Sequence, residues 1–170
     1  MHADNAHTLT HAGWPACLNR DVRAALVIES LTGNTWKAGE LIADGLSQHG
    51  WSITGLSKVR APDLASIQDA DLVIVGTWVH GLFIVGQAPW GAASISNLPT
   101  MRAKRAATFC TFALNPGKSL DRLSGAVSAT GADVIGGLAL SRSKLEAHSE
   151  TFCTRLLDAV AAPPTASVPA

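Results

Sequence analysis

Six residues, Ser30-Leu31-Thr32-Gly33-Asn34-Thr35, stand between an unbroken apolar run, Ala24 to Ile28, and a segment of helical periodicity. This junction limits the folds open to the chain. A short run without polar interruption suits a strand buried on both faces of a parallel sheet. A strand that ends in hydroxyl residues and one glycine, then turns straight into a helix, aims backbone N–H groups and hydroxyls at one point. The partial positive charge of the helix N-terminus adds to them. The loop is neither a Walker loop, which needs Gly-x4-Gly-Lys, nor a dinucleotide fingerprint, which needs Gly-x-Gly-x-x-Gly. One glycine and three hydroxyls suit a single phosphate. The bland alternative is a capped helix without a ligand, with Thr32 or Asn34 as the cap.

The same strand and helix alternation continues along the chain. Trp36, Leu41, Ile42 and Leu46 recur at helical spacing and Gly50 stops that helix. Trp51 to Leu56 reads as strand two, followed by a short connection through Pro62 and Leu64. Asp71 to Gly76 reads as strand three and Lys104 to Thr111 as strand four. Pro116 to about Thr130 follows as a helix with proline in its first turn, then Ala132 to Leu140 as strand five and Lys144 to Val160 as a closing helix. Such alternation predicts an α/β fold with a parallel sheet, helices on both faces and right-handed crossovers.

Length and composition agree with one such domain, since 170 residues with 47% apolar content can fill a single core. The polar segment 1–22, which carries His2, His7 and His11, reads as a flexible arm, 23–160 as the folded unit, and the proline-containing 161–170 as a disordered tail. Histidine spacings of five and four in an unstructured arm are a weak metal signal, and no metal site is expected. No run reaches the roughly 20 apolar residues of a membrane span, and the opening residues lack the apolar core of a signal peptide. A cytoplasmic location is expected. Cys17, Cys110 and Cys153 are widely spaced and without CxxC pairing, so they read as reduced thiols, with Cys110 a buried strand residue. Zero net charge without a basic patch argues against a nucleic-acid partner.

The first loop resembles that of the flavodoxin family, which has the form [Ser/Thr]-x-Thr-Gly-x-Thr; Ser30, Thr32, Gly33 and Thr35 match it, with Leu31 and Asn34 at the variable places. The resemblance implies a doubly wound, flavodoxin-like three-layer sandwich, with a five-stranded parallel sheet of order 2-1-3-4-5. It also implies FMN as cofactor, its phosphate in the first loop. In that order the ligand crevice lies at the carboxyl ends of strands one and three, where the strand order reverses.

Two further loops then come into the expected site. After strand three, Thr77, Trp78, Val79, His80 and Gly81 stand where the family places a stacking aromatic residue and a flexible glycine beside the flavin. Matching Trp78 to the stacking residue leaves β-branched Val79 at the flexible position, where positive φ is resisted. The gapless match from Gly76, which is preferred, puts His80 at the aromatic place and Gly81 at the flexible one, with Trp78 a neighbour or lid. His80 would act as a hydrogen-bond donor or local positive charge near the flavin. After strand four, Thr111, Phe112, Ala113, Asn115 and Gly117 occupy the place where backbone N–H groups grip the far side of the ring, with Phe112 as a second stacking wall. Here the chain departs from the family: the Gly-x-Gly-Asp pattern is absent and the chain has no tyrosine.

No Ser-His-Asp arrangement or paired carboxylates can be assembled from these spacings, so chemistry would rest with the cofactor. The leading expectation is an electron carrier between a reductase and an acceptor protein, monomeric or weakly dimeric. The alternatives are a small NAD(P)H- or quinone-linked flavin oxidoreductase, an enzyme like protoporphyrinogen oxidase, and a flavin-free scaffold for partners.

Overall fold

The structure is a computed structural model that describes residues 21–79, 94–95 and 98–161. Its frame is set by strands whose two faces are both buried. β1 (Arg23–Ile28) sits between β2 (Ser52–Lys58) and β3 (Leu72–Trp78), and β4 (Arg105–Phe112) and β5 (Asp133–Ser141) extend the sheet beyond β3. All four pairings are parallel, giving the order β2-β1-β3-β4-β5 and a flavodoxin-like α/β fold.

Alternation along the strands divides the apolar residues between two cores. Ala24, Leu26 and Ile28 of β1, Leu72 and Ile74 of β3, and Ala107 and Phe109 of β4 face one side, where α1 (Asn34–Gln48) and α4 (Leu145–Ala161) cover them with Ile42, Leu46, Phe152 and Leu156. Ala25, Val27, Val73, Val75 and Ala106 face the other, under α2 (Leu64–Asp69) and α3 (Ser119–Ser128), with Ile67, Leu123, Val127, Ile95 and Met101. A strand buried in this way must be apolar at every position, which is the pattern of Ala24 to Ile28. Phe109 also meets Phe152 edge to face, with ring centroids 5.9 Å apart, and so ties β4 to α4.

Strands one, four and five begin and end within one residue of their expected limits, β2 runs two residues past its expected end to Lys58, and three further elements differ. β3 runs on through Thr77 and Trp78, which pair with Cys110 and Thr111. Gly76 is therefore inside the strand rather than at its end. Its hydrogen makes room for an aromatic ring, since a Cβ there would overlap Cζ and Cε1 of Phe109. The connection after β2 holds the short helix α2, capped by Asp63, whose carboxylate accepts from the amides of Ala65 and Ser66 and from the Ser66 hydroxyl. Pro116 does not open α3, which starts at Ser119 after Lys118 as N-cap. At the chain ends, Asp21 accepts from the Ser52 hydroxyl and Val22 packs on the first core, while Ala161 closes α4. The remainder of the expected arm and tail, 1–20 and 162–170, lies outside the described residues. Among the described residues no helix is long and apolar enough to cross a membrane.

The Gly76 packing is open to test. Gly76→Ala is expected to destabilise the protein by about 1 to 3 kcal/mol through overpacking. In urea unfolding, Phe109→Leu should recover part of that loss, so that the double variant costs less than the sum of the two single ones.

Candidate functional site

The strand order reverses between β1 and β3, which is the position where open α/β sheets carry a ligand crevice. Two short links hold the strand ends in place: the amide of Glu29 donates to Gly76 O at 2.8 Å, and that of Val79 donates to Thr111 O at 2.9 Å. The carboxyl ends of β1, β3 and β4 thus stand side by side at one edge of the sheet.

In the first loop, Leu31, Thr32 and Gly33 are exposed and Ser30 and Asn34 are half-buried. Gly33 is the N-cap of α1 with φ 86°, a left-handed conformation that glycine adopts without penalty. The first amides of a helix have no acceptor within it. Here Asn34, Thr35 and Trp36 supply them, and the Trp36 amide donates to Ser30 Oγ at 3.3 Å. Asn34 Nδ2 donates to Thr32 Oγ1 at 3.1 Å. In these two bonds the hydroxyls of Ser30 and Thr32 are acceptors, so each keeps its own hydrogen for a further partner. Ser30, rather than Thr32 or Asn34, thus accepts from a first-turn amide; this bond spends the Trp36 amide and leaves the hydroxyl hydrogens of Ser30 and Thr32 for a further partner.

Thr35 lies deeper. It is 1% exposed, and its Oγ1 is 2.8 Å from Oγ1 of Thr111, a residue 76 positions away at the end of β4. Either hydroxyl can be the donor in that pair. Thr111 therefore reaches the first loop through its side chain, a contact that no spacing in the sequence signals.

No charged side chain occurs between Ser30 and Trp36, and the first turn of α1 carries no acidic residue. The nearest carboxylate in the chain, Glu29, is buried, and Arg60 holds it at 3.2 Å from the loop after β2. Lys37, one turn into α1, pairs with Glu146 at 3.7 Å. The loop thus offers neutral donors and a helix terminus, with its neighbouring carboxylate compensated by an arginine. Such a donor set accepts a small anion such as a phosphate monoester.

The expected ring-side residues lie at and just beyond the ends of β3 and β4. Thr77 is fully buried within β3, and Trp78, its last residue, is 7% exposed. Val79 is also buried. Trp78 is therefore packed at the strand end rather than standing out as a lid. His80 and Gly81 lie outside the described residues. Phe112 ends β4 half-buried, while Ala113, Leu114 and Asn115 are exposed. Asn115 Oδ1 accepts from the amide of Gly117 at 2.9 Å, so this amide serves an Asx turn of the loop itself. Leu114 at 75% and Leu31 at 67% exposure stand on two loops of the same sheet edge.

Cys110, the neighbour of Thr111, is fully buried and burial pushes its thiol up to about 12; Cys153 is likewise pushed up to about 11. Neither forms a thiolate near neutrality, which agrees with a packing role. Among the described residues no group of acidic, histidine and cysteine side chains has the makings of a metal site. In a Cys17→Ser background, a thiol reagent at pH 8 is expected to leave the native protein unlabelled and to modify two thiols after denaturation; fast labelling of the native protein would contradict this burial.

No protein-family model and no curated protein sequence matches the chain. Solved structures do. The flavodoxin from Pseudomonas aeruginosa, in a form with one cysteine replaced by serine, superposes with a TM-score of 0.64 at 17% identity, over 83% of this chain and 100% of that one. Oxidised flavodoxin 2 from Bacillus cereus gives 0.63 at 18% identity, over 82% and 98%. The two-electron reduced flavodoxin of Megasphaera elsdenii gives 0.59 at 15% identity, over 77% and 98%. At these identities the likeness concerns the fold, and these proteins match it over nearly their whole length.

Proposed function

We propose that this protein is a member of the flavodoxin family that binds FMN non-covalently and carries electrons between a reductase and an acceptor protein. The single observation that carries the reading is the loop Ser30 to Thr35, whose donor set is suited to one phosphate and which opens at the reversal point of a flavodoxin-like sheet. The amides of Asn34 and Thr35, at the start of α1, and the unspent hydroxyl hydrogens of Ser30 and Thr32 fit the phosphate end of FMN. The positive φ of Gly33 lets the chain turn into the helix there without the strain that any other residue would bring, although there is open space around it.

When bound, FMN supplies one- and two-electron chemistry that no side chain provides. The protein's residues would hold the phosphate, orient the ring toward the loops after β3 and β4, and limit water access. Support for a redox role comes from the structural neighbours, which include flavodoxins described in oxidised and in two-electron reduced form. Leu31 and Leu114 would give a redox partner an apolar contact beside the site, without nucleic acid or a membrane span. A monomer or weak dimer in the cytoplasm is the setting we propose for this exchange.

Titration of the purified protein with FMN, followed by quenching of flavin fluorescence, is expected to saturate at one flavin per chain. Thr32→Val removes a hydroxyl that would donate to a charged acceptor. A bond of that kind contributes about 1.5 to 3 kcal/mol, which corresponds to a Kd raised roughly 10- to 100-fold. A protein that leaves FMN fluorescence untouched, or a Thr32→Val variant with unchanged Kd, would overturn the proposal.

A further inference from the structure

The first loop and the end of β4 are joined by the hydroxyl pair Thr35–Thr111, 2.8 Å apart and shut away from solvent, with Thr111 fully buried. A pair of hydroxyls has two hydrogens and spends one on the mutual bond. Which oxygen keeps the other depends on what else is in reach. If Thr35 donates to Thr111, its hydrogen is turned toward β4 and away from the loop. If Thr111 donates to Thr35, Thr35 keeps a hydrogen for an acceptor on the loop side.

An anion in the loop supplies that acceptor. It favours the second arrangement, because a hydroxyl that already accepts a bond becomes a better donor and buried polar bonds reinforce one another in sequence. Resting on the FMN reading above, we infer that Thr111 is a positioning residue for the phosphate. Its hydroxyl donates to Thr35 and so aims the Thr35 hydrogen at the ligand, without itself touching it. The role expected from sequence, a backbone grip on the ring by the loop after β4, is a different one, and the two roles act on different ends of the ligand.

The difference makes the inference measurable, because riboflavin has the ring of FMN and lacks the phosphate. Kd values for FMN and riboflavin are to be measured by fluorescence titration for the wild type, Thr111→Val and Thr111→Ser, with thermal midpoints recorded alongside. Thr111→Val keeps the shape and removes the donor. Because Thr35 keeps its own hydrogen and loses only the bond that polarises and orients it, FMN binding should weaken about two- to fivefold, a fraction of one charge-assisted hydrogen bond, with riboflavin binding unchanged. Thr111→Ser should restore FMN binding. Thr111→Ala makes the same comparison if the valine variant does not fold. Equal weakening of both ligands, or an unchanged preference for FMN in Thr111→Val, overturns the role of Thr111 while leaving the FMN reading in place. A wild type that binds FMN no more tightly than riboflavin overturns the phosphate reading itself, and this inference with it.

Discussion

Burial of both faces of β1 and β3 is the constraint on which the rest of the structure depends. Leu26 and Ile74 look into one core, and Val27 and Val75 look into the other. Strands so placed need parallel neighbours on both edges and helices over both faces. With right-handed crossovers, the order reversal then falls between the two strands that are most deeply buried. The crevice is a by-product of this packing. At the strand ends, Glu29 on one side and Thr77 to Val79 on the other have their backbone tied to neighbouring strands before any ligand is considered.

Neutral groups set the electrostatics at these strand ends. A positively charged loop would hold an anion more strongly but would also attract other anions and the buried Glu29 carboxylate. Arg60 already satisfies that carboxylate from β2's side. The loop is left with hydroxyls and amides whose partial charges are small, fixed and convergent, and whose strength rises where water is displaced. Burial acts in the opposite direction on Cys110, one residue from the loop's partner Thr111: there it holds a thiol protonated and inert. One strand end thus carries both a packing group and a polar group, separated by the alternation of the strand.

Much of the fold was legible because the apolar runs are continuous and flanked by turn residues. The differences have local causes. Gly76 reads as a strand end, since glycine commonly punctuates structure, yet its role is to admit the Phe109 ring, a packing need set by a residue on another strand. Helix α2 is too short to show a period, although Asp63 followed by Ser66 marks its start. Pro116 resembles a first-turn proline, but the Asn115 to Gly117 turn intervenes and delays α3 to Ser119. At the site, the local chemistry of Ser30 to Thr35 could be read because its partners are close in sequence. The Thr35–Thr111 bond could not, because only the assembled sheet brings these two hydroxyls together.

We propose that this uncharged loop at the strand reversal is where an FMN phosphate is held. Amide chemical-shift mapping of the isotopically labelled protein during addition of FMN tests it most directly. The largest shifts are expected at Leu31 to Trp36, with a further response at Thr111 across the sheet edge. Unshifted amides in this loop, with responses confined to other surfaces or absent altogether, would contradict it.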